Sequence, residues 1–227
     1  MSKAIEAFQA AKLTVWDMDG TLVQEPKYYR GVYSASLEQT ALEIAGQRGV
    51  DEINFCRANF EGKGELALGR LGIPFSEWGK RLVAAPVDLI TPQPQVVDKF
   101  RTLEMPKVLF TGSPLAMAMK ILDRVGFDPL KDFEILVGWQ EPEDEPSKWY
   151  QSKKVFQEIL QKMNIKSQDA WSIGDNWETD LAPAQALGLT TVQIERNTGA
   201  PDYRFPNISE FIEAYQNKKL SSLHHPQ

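Results

Sequence analysis

The chain has 227 residues and a formal net charge of −6, a length that suits one large domain or one domain carrying an insert. Its apolar and charged fractions, 42 % and 25 %, are those of an ordinary globular protein, and the lack of any basic stretch argues against a nucleic-acid partner. No apolar run approaches a membrane span, MSKAIEAFQAAK at the N-terminus lacks a signal-peptide core, and Cys56, the single cysteine, suits a reducing, cytoplasmic setting.

In chain order, LTVWD (13–17) is short, apolar and partly β-branched, and it ends at a glycine turn, which predicts a buried strand. From 24 to about 90 no strand is predicted. YYRGVYSASLEQTALEIAG, INFCRANFEGKGELALGRLG and SEWGKRLVAA read as helix or loop. That is far more chain than a strand-to-strand crossover needs, so a helical insert is expected, leaving through the proline-spaced TPQPQ (91–95). VLFTGSP (108–114), EILVGW (134–139), AWSIGD (170–175) and LTTVQIE (189–195) are four further strand candidates. Helical spacings fill MAMKILDRV (117–125) and KVFQEILQKM (154–163), and TDLAPAQALG (179–188) ends in a helix-stopping glycine, with Pro183 awkward inside it. Strands alternating with helices predict an α/β fold, a Rossmann-like parallel sheet with helices on both faces and an inserted α-helical domain. The expected division is a core of 1–23 and 91–217, a helical insert of 24–90 and a polar tail of 218–227 that frays.

Three predicted strand ends carry chemistry: Asp17-x-Asp19, Thr111-Gly112-Ser113 and Gly174-Asp175, with Asp180 five residues on. Ligands in open α/β sheets bind beyond the carboxyl ends of the strands. Carboxylates two apart on a strand point the same way, and at 4 Å two such charges repel by about 4 kcal/mol at an effective dielectric near 20. A cluster of that kind calls for a cation. Mg²⁺ suits, because it binds through one or two carboxylates plus a substrate phosphate. The pattern D-x-D-G-T arises by chance in on the order of one chain per thousand, so its placement at a strand end is informative. Ser113-Pro114 reads as a helix N-cap followed by proline at the first helical position, a place that attracts phosphate. Asn176 rivals Asp175 as a helix cap, and Asp180 is open between holding the metal or lysine and favouring a helix N-terminus.

DMDGT, TGS, a downstream lysine and GDNWETD together resemble the haloacid dehalogenase superfamily, on its phosphatase branch with a helical C1-type cap. The resemblance spans roughly 10–23 and 95–217. It implies that Asp17 is the nucleophile and forms an aspartyl-phosphate, and that Asp19 protonates the leaving oxygen and then activates water. It also implies Mg²⁺ held by Asp17, Asp19 through its carbonyl, and Asp175, with Thr111, Gly112 and Ser113 binding the phosphoryl group. The family lysine opens the helix after the third strand. Here EPEDEPSKWYQSKK offers Lys148, Lys153 and Lys154; Lys148 is favoured because Ser147 suits a cap.

The implied function is a Mg²⁺-dependent phosphomonoester hydrolase for a small phosphorylated metabolite, leaning to a nucleotidase- or phosphoglycolate phosphatase-like substrate. Asp19 argues against the dehalogenase branch, which lacks the acid/base aspartate. A sugar phosphomutase on the same core is the alternative, although no histidine precedes His224; a non-catalytic binding protein of the same fold is the second class. Substrate choice would rest in the insert, with Tyr28, Tyr29, Arg30, Tyr33, Asn59, Lys63 and Arg70 as candidate contacts. The sequence leaves natural substrate and oligomeric state open.

Overall fold

The computed structural model describes residues 10–60, 63–139 and 147–217. Six strands, β1 (Leu13–Trp16), β2 (Lys107–Pro114), β3 (Ile135–Trp139), β4 (Ala170–Gly174), β5 (Thr190–Ile194) and β6 (Tyr203–Phe205), form one sheet. Their order is β3-β2-β1-β4-β5-β6, and every pairing is parallel. The fold is therefore a Rossmann-like parallel sheet flanked by helices. Parallel strands covered on both faces read as continuous apolar runs, and all four residues of β1 are buried.

Alternation sends neighbouring side chains to opposite faces. Leu13 and Val15 join Val108 and Phe110 against Val155, Phe156 and Ile159. Those last three lie on the long helix that follows β3. Trp16 faces the other way, with its ring centroid 5.0 Å from Phe100 and 5.8 Å from Phe211. The register pairs Trp16 with Leu109 on one side and with Ile173 on the other. The residues that follow these three therefore leave the sheet at one edge. Chain order also reverses here, since β2 lies on one side of β1 and β4 on the other. Such a switch point opens a crevice.

Between β1 and β2 the described residues contain no strand. They form α1 (Pro26–Tyr28), a wide π-type turn (Tyr29–Ser34), α2 (Ala35–Ala45), α3 (Gln47–Asn59), α4 (Leu66–Leu71), α5 (Phe75–Ala84) and α6 (Pro94–Arg101). The Thr91 backbone N–H donates to Glu25 Oε1 at 3.2 Å, joining the incoming and outgoing connections. Helix α5 meets the sheet through Phe75 and Trp78, whose rings lie 6.3 and 6.5 Å from Trp139.

The remaining helices are α7 (Leu115–Val125), α8 (Pro129–Asp132), α9 (Ser147–Met163), α10 (Ala182–Gln185) and α11 (Ile208–Gln216). Helix α7 stops where Gly126 takes φ 117° and its N–H bonds Leu122 O, a left-handed cap that glycine adopts without a Cβ penalty.

The structure departs from the sequence reading at four points. The helix expected over 179–188 is instead a π-type turn (Trp177–Leu181) followed by the four residues of α10, because Pro183 has no N–H to donate and its ring crowds the preceding turn. TPQPQ leads into a helix that was not expected, since Pro94 opens α6, where proline is tolerated in a first turn. Strand β6 and α11 were not expected at all. Finally, Ser113 is not a helix cap. Strand β2 runs on to Pro114, α7 begins at Leu115, and no side-chain cap bond forms there. The acidic run 141–146 and the tail 218–227 lie outside the described residues.

Candidate active site

Asp17 directly follows β1, and its backbone N–H donates to Ile173 O of β4 at 2.9 Å. The turn after it is closed by Val23 N–H to Met18 O and Gly20 N–H to Val23 O, both 2.9 Å. Gly20 has φ +86°, and a Cβ there would stand 2.6 Å from Asp175 Oδ2. Only glycine gives both that backbone and that clearance. Gly174, at the end of β4, is the second such point: a Cβ would meet Asp180 Oδ2 at 2.5 Å. The two glycines of the DMDGT and GDNWETD stretches thus let carboxylates close in on the backbone.

Asp17, Asp175 and Asp180 are all buried, and each offers a carboxylate oxygen within 4.8 Å of the others'. Lys148, at the second position of α9, enters this cluster. Its Nζ pairs with Asp17 Oδ1 and lies 2.9 Å from Asp180 Oδ1. The Lys148 side chain is only 4 % exposed. Lys153 and Lys154 lie on the exposed side of the same helix, and Lys154 pairs with Glu158. Near Lys148 the helix departs from regularity at Gln151 (φ −134°, ψ 20°), and Ser152 Oγ donates to Lys148 O.

Asp180 is held by Asn176 N–H at 2.9 Å and Thr179 Oγ1 at 2.8 Å. The turn it sits in is capped by Asn176, whose Oδ1 accepts from Glu178 N–H at 2.9 Å. Asn176, not Asp175, is therefore the cap, and the Asp175 carboxylate faces the cluster. Arg196 Nε donates to Asp175 Oδ2 at 2.8 Å. Arg196 was not singled out in the sequence. It follows β5 at the same sheet edge, and Glu195 before it has φ 65°, an uncommon conformation for a residue with a side chain.

Asp19 stands on the other side of the turn. Its Oδ2 accepts from Ser113 Oγ at 2.6 Å and from Thr111 Oγ1 at 3.4 Å. Thr111 Oγ1 in turn accepts Ser113 N–H at 3.1 Å. Tyr33, from the turn before α2, hydrogen-bonds Ser113 Oγ.

Burial, reinforced by Asp180, Asp175 and Asp19 and opposed by Lys148, pushes the Asp17 carboxyl well above the usual range. Burial, with Asp180 added, lifts Asp175 to about 7 against the pull of Arg196 and Lys148. For Lys148, burial works against the ammonium, yet Asp17 and Asp180 outweigh it and the group is held above its ordinary value. Asp17 Oδ2 is buried without a hydrogen-bond partner. Lys148 and the more exposed Arg196 together leave three buried carboxylates one positive charge short of balance. An oxygen-only donor set with one orphaned oxygen fits a hard divalent cation.

Above the cluster is a cavity of about 330 Å³. Its floor is Asp17, Asp19, Gly112, Ser113, Lys148 and Asp175, and the helical segment supplies Tyr33, Leu37, Arg57, Glu65, Trp78 and Leu82. Of the other candidate contacts, Tyr28 is buried, Lys63 pairs with Glu178 across the two parts, Arg70 pairs with Glu52, and Asn59 Nδ2 donates to Phe55 O. The side chains of Tyr29 and Arg30 lie outside the described residues.

This is a carboxylate-rich crevice at the switch point of a doubly wound sheet. Residues 11–188, well over half the chain, match the haloacid dehalogenase-like hydrolases, and the chain belongs to that family. No curated protein matches it in sequence. Similar solved structures include 2-haloacid dehalogenase from Pseudomonas syringae pv. Tomato (19 % identity, TM-score 0.57), which covers 92 % of this chain and 99 % of its own. Others are β-phosphoglucomutase from Clostridium difficile (12 %, 0.53, 92 % and 99 %) and a HAD phosphatase from Thermococcus onnurineus (15 %, 0.57, 89 % and 96 %). These identities bear on the fold alone, and the three names span different reactions.

Proposed function

We propose that this hydrolase is a Mg²⁺-dependent phosphomonoesterase of the phosphatase branch, acting on a small phosphorylated metabolite, with residues 24–90 as a helical cap over a core of 1–23 and 91–217. The observation that carries this reading is the Asp17 carboxylate: one oxygen is paired with Lys148, and the other is buried without a partner. One oxygen is thus aimed by the lysine and the other is left open to a cation, whose charge would offset the burial that raises this carboxyl and favour the attacking anion. Mg²⁺ would be held by Asp17, Asp175 and the Asp19 carbonyl, with Asp180 beside it, and it would offset the negative charge of nucleophile and phosphoryl group alike.

In the first half-reaction an Asp17 carboxylate oxygen attacks phosphorus, and the bond from phosphorus to the leaving oxygen breaks with its electron pair going to that oxygen. Asp19 delivers the proton, so the alcohol leaves neutral and Asp17 carries the phosphoryl group. In the second, Asp19, now a carboxylate, takes a proton from water as the water oxygen attacks phosphorus. The phosphorus–Asp17 bond breaks, restoring the carboxylate and releasing inorganic phosphate. Thr111 and the backbone N–H groups around Gly112 bind phosphoryl oxygens, while Lys148 offsets charge on Asp17. A cavity of about 330 Å³ is of a size for a small metabolite, and a nucleotidase- or phosphoglycolate phosphatase-like substrate suits the layout.

The test is hydrolysis of p-nitrophenyl phosphate and of a phosphorylated-metabolite panel, with and without Mg²⁺. Turnover is expected only with the metal, and Asp17→Asn should remove it by at least about 10³-fold with the circular dichroism spectrum unchanged. Full turnover by Asp17→Asn, or by wild type in chelator, would overturn the reading.

A further inference from the structure

We infer that Tyr33 is a positioning residue for the general acid: through Ser113 it fixes which oxygen of Asp19 carries the proton given to the leaving group. This rests on the phosphatase reading above. A serine hydroxyl has one proton. Ser113 Oγ lies 2.6 Å from Asp19 Oδ2 and donates to it; the carboxylate form only accepts, and an acid form that keeps this bond carries its own proton on the other oxygen. The bond between Ser113 Oγ and Tyr33 is then donated by the phenol. The chain of donors runs from Tyr33 to Ser113 to Asp19 Oδ2.

Thr111 Oγ1 also approaches Oδ2, at 3.4 Å. An oxygen that already accepts the short bond from Ser113 is an unfavourable place for the carboxyl's own proton, so the acid proton belongs on Oδ1, and the longer Thr111 contact leaves that hydroxyl available to the phosphoryl group. As the phosphorus–oxygen bond breaks, that proton passes to the leaving oxygen, which keeps the bonding pair, and Asp19 is left as the carboxylate with its Oδ2 contacts intact. Linked hydrogen bonds of this kind strengthen one another in a low-dielectric setting.

Tyr33 is well placed for this. It comes from the helical segment between β1 and β2, eighty residues before Ser113 in sequence. Its ring is fixed edge-on against Tyr28 and Trp78, with centroids at 6.0 and 6.3 Å. Burial, with Asp19 added, pushes the phenol well above its ordinary value, which keeps it a donor at working pH. Ser113, read from sequence as a phosphate contact, has its hydroxyl committed to Asp19.

The test uses leaving-group dependence in the full-length protein. A poor leaving group needs its proton during bond breaking and a good one does not. The quantity read is kcat/KM, which covers only the steps up to release of the alcohol, for phenyl phosphate and for p-nitrophenyl phosphate. Tyr33→Phe and Ser113→Ala should each lower it roughly tenfold or more on phenyl phosphate and less than about twofold on p-nitrophenyl phosphate. Ser113→Thr, which restores a hydroxyl, should recover most of the loss. Equal losses on both substrates, or none on either, would overturn the positioning role. Asp19→Asn separates the two claims. If it shows the same dependence and Tyr33→Phe does not, the Tyr33 inference fails alone; if Asp19→Asn shows none, the acid assignment fails and takes the inference with it.

Discussion

Lys148 is the residue whose chemistry is most exposed to test. It is a buried cation shared by two buried carboxylates, so its removal strands both. Breaking a buried pair by deleting one partner costs about 3–5 kcal/mol. Lys148→Ala should lower the unfolding free energy in urea, without Mg²⁺ at pH 8, by about that amount, and reduce kcat/KM at least about 10²-fold. Lys153→Ala, on an exposed face, should stay within about 0.5 kcal/mol and retain activity. Gly174→Ala is the steric counterpart. Its new Cβ would collide with Asp180 Oδ2, so stability should fall by about 1–3 kcal/mol, and the Mg²⁺-induced rise in melting temperature should shrink in differential scanning fluorimetry. The carboxylates were legible in sequence because each falls within a few residues of a strand end. Arg196 and the Ser113–Asp19 bond were not, since they depend on loops meeting across the sheet edge, which no local spacing encodes.

At the scale of elements, the five longer strands could be read because their burial on both faces makes them uninterrupted apolar runs. Strand β6 is three residues, two of them only partly buried, and carries too little pattern to be seen. Helix α6 was hidden by its opening proline, whereas α9 was legible in the spacing over 154–163 and in the expectation that Lys148 lies at its start. The aromatic layer between α6, α11 and β1 also escaped notice, although it packs against β1, the strand that Asp17 follows. Phe100 is fully buried and touches Trp16, Phe127 and Phe133. Phe100→Ala should therefore destabilise by about 3–5 kcal/mol in urea unfolding, with activity per folded molecule largely retained well below the melting temperature.

For the whole molecule, a metal bound as proposed would compete with protons for the same carboxylates. Without a cation, Asp175 rises from its ordinary 3.8 to about 7, and Asp17 moves the same way. A carboxyl whose folded value is raised contributes stability that is complete below about pH 4 and is lost as pH climbs through about 7. The metal-free protein should then be less stable at pH 8 than at pH 5.5. Mg²⁺ bound as proposed would replace the missing protons, so its stabilisation should be larger at pH 8. At a hundredfold excess over its dissociation constant, the melting temperature there should rise by roughly 5–10 °C, and by clearly less at pH 5.5. An equal rise at both values would mean that the ion binds elsewhere.

Gln193, wholly buried in β5, ties the sheet's margin to its centre. Its Nε2 donates to Asp175 O at 3.1 Å and to Thr198 Oγ1 at 2.8 Å, and its Oε1 accepts from Arg204 Nε of β6 at 3.2 Å. A three-residue outer strand is the part of a sheet that breathes most readily. Each opening of β6 therefore tugs, by way of one amide, on the loop that presents Asp175, and amide exchange along Tyr203–Phe205 should slow when magnesium saturates the protein.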